Sequence, residues 1–173
     1  MLIREFTDAD WPQVWPIIQE VIEARQTIPY DPDMTEAQAR GMWIESAPGV
    51  TVVAAKDGRV LGTAAMGTNR PGPGSHVSTA TFMVAADARG RGVGTQLCQF
   101  ALDWASARGY AGMQFNAVVE TNQAAVQLYE RLGFAIVGTV PGAFEHPEHG
   151  RVGLHVMYRA FPPEGRLDPL SAR

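Results

Sequence analysis

The chain has 173 residues, of which 46% are hydrophobic and 18% charged, a composition typical of one soluble globular domain. A net charge of −4 without a dense basic patch argues against nucleic acid as a partner, and no apolar run reaches the ~18 residues that a membrane span needs. The single cysteine, Cys98, excludes an internal disulfide, and the acidic start of the chain lacks a signal-peptide core. We therefore expect a cytoplasmic protein.

The first third of the chain predicts a strand followed by two helices. Residues 2–6 alternate in hydrophobicity as a strand does, and an apolar stripe at helical spacing follows over residues 14–22. Pro16 either kinks this helix or marks its true start. After a loop, Thr35 and Gln38 have the spacing of a capping box, which opens a short second helix.

The middle of the chain predicts a β-hairpin and a further strand. Val50–Ala55 and Val60–Met66 read as two strands, and the Asp57-Gly58 dipeptide between them is a strong hairpin signal. After a loop rich in glycine and proline, Val77–Val84 forms the next strand.

Helices and strands alternate over the rest of the chain. A helix ends at Gly109, a strand covers Met113–Val119, and another helix follows from Asn122. Two late strands cover Ala135–Val140 and Val152–Tyr158. We read the segment between these two strands as a surface turn.

The element order predicts one domain of the α/β (α+β) class. A mixed sheet with helices on both faces follows from the pattern. We expect this domain to occupy residues 1–161 and a mobile polar tail to occupy residues 162–173.

The stretch VAADARGRGVGTQL, residues 84–97, joins a predicted strand to a helix. Its glycines allow positive φ angles and a close approach of backbone N–H groups to a ligand, and the new helix adds the positive end of its dipole. Arg89 and Arg91 add positive charge. Together these features predict a socket for phosphate oxygens.

Two common phosphate-binding motifs do not fit this stretch. No lysine follows the glycines, as a P-loop requires, and Thr95 and Leu97 stand where the third glycine of a dinucleotide fingerprint would fall. The pattern that remains is Arg89-x-x-Gly92-x-Gly94. A plain glycine turn with solvated arginines is the alternative interpretation.

The segment NQAAVQLYERLGF, residues 122–134, predicts a second helix with functional side chains. Asn122 is a candidate N-cap, and Gly133 has the place of a C′ residue. Asn122 and Tyr129 are seven residues apart, so they share one helix face about 10 Å apart. An extended ligand arm could span that separation.

Both segments, in this order, resemble the signature of the GNAT superfamily of N-acetyltransferases, and the element order resembles the GNAT fold along nearly the whole chain. The resemblance implies a mostly antiparallel sheet whose central parallel strands, Val77–Val84 and Met113–Val119, splay apart. It implies acetyl-coenzyme A as co-substrate, with no metal. Homodimers are common in this family, and the sequence leaves a homodimer open.

The resemblance also implies roles for individual residues. Tyr129 would face the sulfur as the catalytic residue. Proton transfer from a tyrosine of pKa ~10 to a thiolate of pKa ~8.5 is energetically unfavourable. We therefore expect Tyr129 to stabilise the sulfur by a hydrogen bond. The cofactor would contact Met83, Val84, Ala85, Arg89, Gly90, Arg91, Gly92, Val93, Gly94, Thr95, Asn122 and Ala125.

The acceptor side is less determined. The run FNAVVETN is similar to one in yeast acetyltransferases that act on proline analogues such as azetidine-2-carboxylate, which implies that Asn116 and Asn122 bind a small amino-acid-like acceptor. Tyr30 lies in the inter-helix loop that shapes acceptor pockets in the family. A solvated strand position for Asn116 and a turn residue for Tyr30 are the alternatives.

The identity of the general base is undetermined. Many relatives carry a glutamate on the central strand, whereas the corresponding segment here, residues 76–84 (HVSTATFMV), has no carboxylate. Glu120, His76, Glu145 and a water relay are the candidates. The sequence thus predicts direct acetyl transfer to the amine of a small molecule. A protein N-terminal or lysine acetyltransferase and a non-catalytic acyl-coenzyme A sensor are the alternatives.

Overall fold

A computed structural model describes residues 1–162 of the chain. Within them the strands are β1 (Leu2–Glu5), β2 (Val50–Lys56), β3 (Arg59–Thr68), β4 (Val77–Val84), β5 (Gly112–Val119), β6 (Ala135–His146) and β7 (Gly150–Ala160). The α-helices are α1 (Trp11–Ala24), α2 (Glu36–Trp43), α3 (Val93–Ala107) and α4 (Gln123–Arg131). No helix of this part of the chain has the length and apolarity to cross a membrane.

The strands form one mixed sheet in the order β1-β2-β3-β4-β5-β7-β6. Every neighbouring pair is antiparallel except β4 and β5, which are parallel. The predicted mixed, mostly antiparallel sheet with a central parallel pair is therefore confirmed.

Helices cover both faces of the sheet, as predicted. Trp43 of α2 donates a hydrogen bond to the Thr63 hydroxyl at 3.0 Å, whereas Val93 and Leu97 of α3 lie directly over Gly62. Consecutive strand residues face opposite sides, so α2 and α3 pack on opposite faces. The resemblance stated above assigns the face under α1 and α2 to the acceptor and the face under α3 and α4 to the cofactor, and we call them the acceptor face and the cofactor face.

The local signals predicted the helix ends well. The Thr35 hydroxyl accepts from Gln38 N at the start of α2, and Asn122 Oδ1 accepts from Ala125 N at the start of α4. The left-handed backbone of Gly109 follows the end of α3. Pro16 lies inside α1 and does not mark its start, because the helix already begins at Trp11.

The interpretation of residues 141–150 as a surface turn is wrong for most of the segment. β6 continues to His146 and β7 starts at Gly150, so the hairpin turn is short. The strand accommodates its proline and glycine through a register shift between Val140 and Phe144, where Gly142 has a φ of 63°. The segment pairs with β7 and cannot act as a free lid.

Burial does not alternate along the whole of β5: Val118 and Val119 are both buried, and a register shift lies between Phe115 and Val118. The predicted tail over 162–173 lies outside the described residues, apart from Pro162.

Candidate active site

The sheet splits between β4 and β5. Only the pairs Val77–Gly112 and Ser78–Met113 join the two strands, and the Ser78 hydroxyl donates to the Gly112 carbonyl at the joined end. Beyond these residues the strands diverge. The splayed parallel pair is therefore confirmed, and it opens a passage from one face of the sheet to the other.

The register of β4 determines which backbone groups face this split. Ala85 donates its N–H to the Leu61 carbonyl at 3.0 Å, and the ladder with β3 runs without a shift along β4. Alternate residues of an antiparallel strand point their N–H groups to opposite sides. The N–H groups of Phe82 and Val84 therefore face the split, whereas that of Ala85 is already occupied.

The glycine turn forms an open cradle at the start of α3. Gly90 and Gly92 have φ angles of 73° and 79°, and a Cβ on either residue would meet no atom within 4 Å. In the described part of the chain, the backbone N–H groups of residues 90–95 donate to no protein acceptor. A row of free donors at a helix N-terminus fits an anionic group such as a diphosphate.

Two arginines flank this cradle in different ways. Arg89 forms a 3.4 Å ion pair with Glu20 of α1, and both side chains are about half exposed. Such a pair contributes little stability, so Arg89 can turn toward a phosphate. Arg91 is exposed and, among residues 1–162, makes no ion pair within 4.0 Å.

A cavity of about 580 Å³ occupies the split. Nine of the predicted site residues line it, namely Tyr30, Met83, Val84, Arg89, Gly94, Asn116, Asn122, Ala125 and Tyr129. The other predicted site residues lie outside its lining, namely Ala85, Gly90, Arg91, Gly92, Val93 and Thr95. Of these, Ala85 and Val93 are buried, and the others are exposed on the cradle.

Tyr129 stands on α4 within an aromatic cluster. Its ring centroid is 4.5 Å from that of Phe115, 5.9 Å from Phe134 and 6.3 Å from Phe82. Burial raises the pKa of Tyr129 far above its usual range, and its hydroxyl has no hydrogen-bond partner among the described residues. The hydroxyl is thus a fixed, protonated donor available to a ligand in the cavity.

Cys98 of α3 offers no competing chemistry. The residue is fully buried, and burial raises the pKa of its thiol to about 12. A thiol that stays protonated is a poor nucleophile.

Polar side chains line the cavity on the acceptor face. Thr79 and Thr81 of β4 do so together with Tyr30, whose pKa is raised, first of all, by burial. Asn116 of β5 is exposed, donates to Asn69 Oδ1 at 2.7 Å and accepts from Gln114 at 2.8 Å. The amide of Asn116 is therefore held in place at the edge of the cavity.

The three residues considered as general base do not line the cavity. The Glu120 carboxylate accepts from Gly153 N on β7, Glu145 lies near the β6–β7 turn, and His76 precedes β4 at the joined end of the split. Among residues 1–162 the lining contains neither a carboxylate nor a histidine.

The sequence analysis missed several residues of the cavity. Thr79 and Thr81 could have been found, because they occupy the alternate positions of β4 that face away from α3. Phe82 and Phe115 carry no local signal, since their contact with Tyr129 depends on how α4 packs on the split.

Comparisons with known proteins support the resemblance to the GNAT family. The model of the acetyltransferase (GNAT) family matches residues 11–134. The chain is 29% identical over 157 residues to N-acetyltransferase aca1 of Schizosaccharomyces pombe, covering 82% of this chain and 75% of the relative. It is 31% identical over 144 residues to an L-methionine sulfoximine/L-methionine sulfone acetyltransferase of Pseudomonas aeruginosa, covering 80% and 83%.

Comparison with solved structures points to the same family. The solved structure of a GCN5-related N-acetyltransferase from Kribbella flavida is 54% identical and superposes with a TM-score of 0.90. The match covers 92% of this chain and 97% of that one.

Proposed function

The chain belongs to the GNAT family and is an acetyl-CoA-dependent N-acetyltransferase, and on this premise we propose that its acceptor is the amine of a small, amino-acid-like molecule. The observation that carries the proposal is the cavity through the split sheet. A phosphate cradle stands at one end, on the cofactor face, and neutral polar side chains stand at the other. The passage between them brings two small reactants together from opposite sides.

On the cofactor face, the free N–H groups of residues 90–95 would bind the diphosphate of acetyl-CoA, and Arg89 and Arg91 would add charge. The positive φ angles of Gly90 and Gly92 and the lack of protein acceptors for the N–H groups of residues 90–95 among the described residues support this assignment. A Cβ at Gly94 would be in ordinary van der Waals contact with Val84 and Leu128, at 3.8 Å and 3.9 Å, so Gly94 lies between β4 and α4. Asn122 and Ala125, at the start of α4, would border the extended arm.

The reaction is direct attack of the amine nitrogen on the thioester carbonyl carbon. The N–H groups of Phe82 and Val84 would stabilise the oxyanion that develops on the carbonyl oxygen, and donors of this kind are worth ~3–4 kcal/mol. As the carbon–sulfur bond breaks, Tyr129 would donate a hydrogen bond to the sulfur. A proton from the attacking nitrogen ends on the thiol, so Tyr129 is unchanged at the end of the cycle.

Asn116 on the acceptor face, and Asn122 where α4 begins at the cavity, would hold polar groups of the acceptor, and Tyr30 would close over it from the α1–α2 loop. The relative from Pseudomonas aeruginosa is described as acting on L-methionine sulfoximine and sulfone. Both are amino acid derivatives, and an acceptor of that size suits a cavity of about 580 Å³. A bulky protein acceptor would have to enter beside the loop that contributes residues 26–30 to the lining.

The test is a thiol-release assay with acetyl-CoA over a panel of amines. The panel contains amino acids, amino acid sulfones, polyamines, and peptides with either a free N-terminus or an internal lysine. We expect a small amino-acid-like amine to exceed every peptide by at least ~10²-fold in kcat/KM, and N-acetylated acceptors serve as blanks. Preference for a peptide would support the protein-acetyltransferase alternative, and acetyl-CoA binding without turnover on any amine would support the sensor.

A further inference from the structure

The proposed reaction needs a proton acceptor that the cavity wall lacks. An α-amine of pKa ~8 is about nine-tenths protonated at pH 7 and cannot attack in that form. Within residues 1–162 the lining contains no carboxylate and no histidine. A carboxylate just behind the wall, reached through water, would meet this need.

Glu45 is a carboxylate placed behind that wall. It follows α2 on the acceptor face, and its Oε2 is 2.9 Å and 3.5 Å from the Cβ positions of Gly49 and Gly67. Two residues without side chains thus leave room for the carboxylate directly over the sheet. A larger side chain at Gly49 would collide with it.

The register of β3 connects Glu45 to the cavity. Gly67 is the direct β-sheet partner of Thr79, and Thr79 lines the cavity. Side chains of directly opposite residues lie on the same face with their Cβ atoms about 5 Å apart. The Glu45 carboxylate therefore lies next to the strand partner of Thr79, on the same face of the sheet as the Thr79 side chain.

The charges around Glu45 leave its carboxylate free to act. The negative charge of Glu45 contributes to the raised pKa of Tyr30, which lines the cavity. Arg108 and Glu5 line the same outer hollow as Glu45, but the Arg108 guanidinium lies 4.7 Å from the centre of the Trp104 ring. Among the described residues, no cation lies within 4.0 Å of the Glu45 carboxylate.

We propose that Glu45 is the proton acceptor of the reaction, reached through water beside Thr79. The inference rests on the proposed small-amine function. The acceptor enters as an ammonium ion, gives one proton through water to Glu45, and attacks as the neutral amine. The new carbon–nitrogen bond forms as the carbon–sulfur bond breaks, a second nitrogen proton ends on sulfur, and Glu45 releases its proton to solvent.

Burial raises the pKa of Glu45, which makes it a stronger base than an ordinary surface glutamate. An anionic Glu45 also favours an acceptor that arrives with a positive charge.

The test compares the pH dependence of kcat/KM for the wild type and Glu45→Gln, with the best α-amine acceptor of the panel. If Glu45 holds the amine proton during attack, the wild type uses the ammonium form that dominates below pH 8. The variant must capture the rare neutral amine. We therefore expect the ratio of wild type to variant to fall by roughly tenfold or more between pH 6 and pH 8.

Glu5→Gln is the matched control, because Glu5 lines the same outer hollow but not the cavity, and it should retain wild-type activity and pH profile. Thermal unfolding and acetyl-CoA binding of both variants check their folding. A ratio that stays constant with pH, or full activity in Glu45→Gln, overturns the role of Glu45 alone. A wild type that acetylates no amine of the panel overturns the proposed function together with it.

Discussion

The Phe115 ring of β5 lies 4.5 Å from the Tyr129 ring of α4, centroid to centroid, with the ring planes at 52°. Phe134 stacks on Phe115 at 4.3 Å and 19°, and its ring lies 5.9 Å from that of Tyr129. These contacts fix the tyrosine ring from the side of the sheet, and the hydroxyl is left as the part that reaches a ligand. A strand residue thereby determines where the proposed catalytic hydroxyl stands.

Removal of this hydroxyl in Tyr129→Phe should lower kcat by roughly 10²-fold or more while the dissociation constant of acetyl-CoA stays nearly unchanged. The reason is that the role proposed for the hydroxyl is at the leaving sulfur and not at the diphosphate. Steady-state kinetics and calorimetry measure the two quantities. Tyr110→Phe is the control, because its hydroxyl bonds Thr68 at 2.9 Å outside the cavity; equal kcat values for Tyr129→Phe and the control would remove the role of Tyr129.

Gly92→Ala should weaken acetyl-CoA binding by about tenfold or more. No atom lies within 4 Å of the new Cβ, but the φ of 79° strains any residue other than glycine by about 1–2 kcal/mol. The cradle would relax and misplace its N–H groups. Gly58→Ala is a matched control, since Gly58 has a φ of 78° and equally open surroundings in the β2–β3 hairpin.

Both glycine variants should lose similar stability in urea unfolding. Only Gly92→Ala should change the affinity for acetyl-CoA in calorimetry. Equal affinities in the two variants would contradict the assignment of the cradle.

Asn116→Ala should raise KM for the acceptor by about tenfold, which corresponds to one neutral hydrogen bond. The affinity for acetyl-CoA should not change, because Asn116 lies on the acceptor face of β5 and the cradle lies on the other. Initial-rate kinetics with each substrate varied in turn separate the two effects. A change confined to the KM for acetyl-CoA would show that Asn116 acts on the cofactor face of the sheet.

Asp10 should make the fold sensitive to acid. Arg4 contacts both oxygens of its carboxylate at 2.6 and 2.7 Å, and this hydrogen bonding lowers the pKa of Asp10 from 3.8 to about 2. A lowered pKa adds stability that is complete above the unfolded value and is lost as the pH falls through the folded value. The contribution is about 2 kcal/mol.

Urea unfolding between pH 7 and pH 3 tests this expectation. Asp10→Asn should cost about 2 kcal/mol at pH 7, and the difference from wild type should begin to shrink below about pH 4. Asp33→Asn, at an exposed position, should cost little at any pH. If Asp10→Asn lowers the free energy of unfolding by the same amount at every pH, packing of the side chain and not its charge stabilises the contact between Arg4 and Asp10.

The sequence predicted those parts of the molecule that depend on local chemistry. The left-handed glycines at 90 and 92, the N-cap at Asn122 and the apolar stripe of α1 each follow from a few neighbouring residues. The element order then led to the fold class, because few arrangements bury strands and helices in that sequence.

What could not be predicted depends on contacts between distant segments. The extension of β6 through Pro141 and Gly142 is stabilised by pairing with β7, and the shift in β5 before Val118 follows from the divergence of the strands. Glu45 carries no motif at all. Its position beside the cavity becomes visible only when Gly67 and Thr79 are seen as partners.

The most direct test of the account is the response of backbone amides to acetyl-CoA, measured by ¹⁵N–¹H correlation spectra of the full chain. If the cradle binds the diphosphate, the amide resonances of Gly90, Gly92 and Gly94 should shift strongly, because their N–H groups gain acceptors. The amide of Gly58, in a hairpin away from the split, should not move. Unshifted cradle amides at saturating acetyl-CoA, with the changes located elsewhere, would contradict the account.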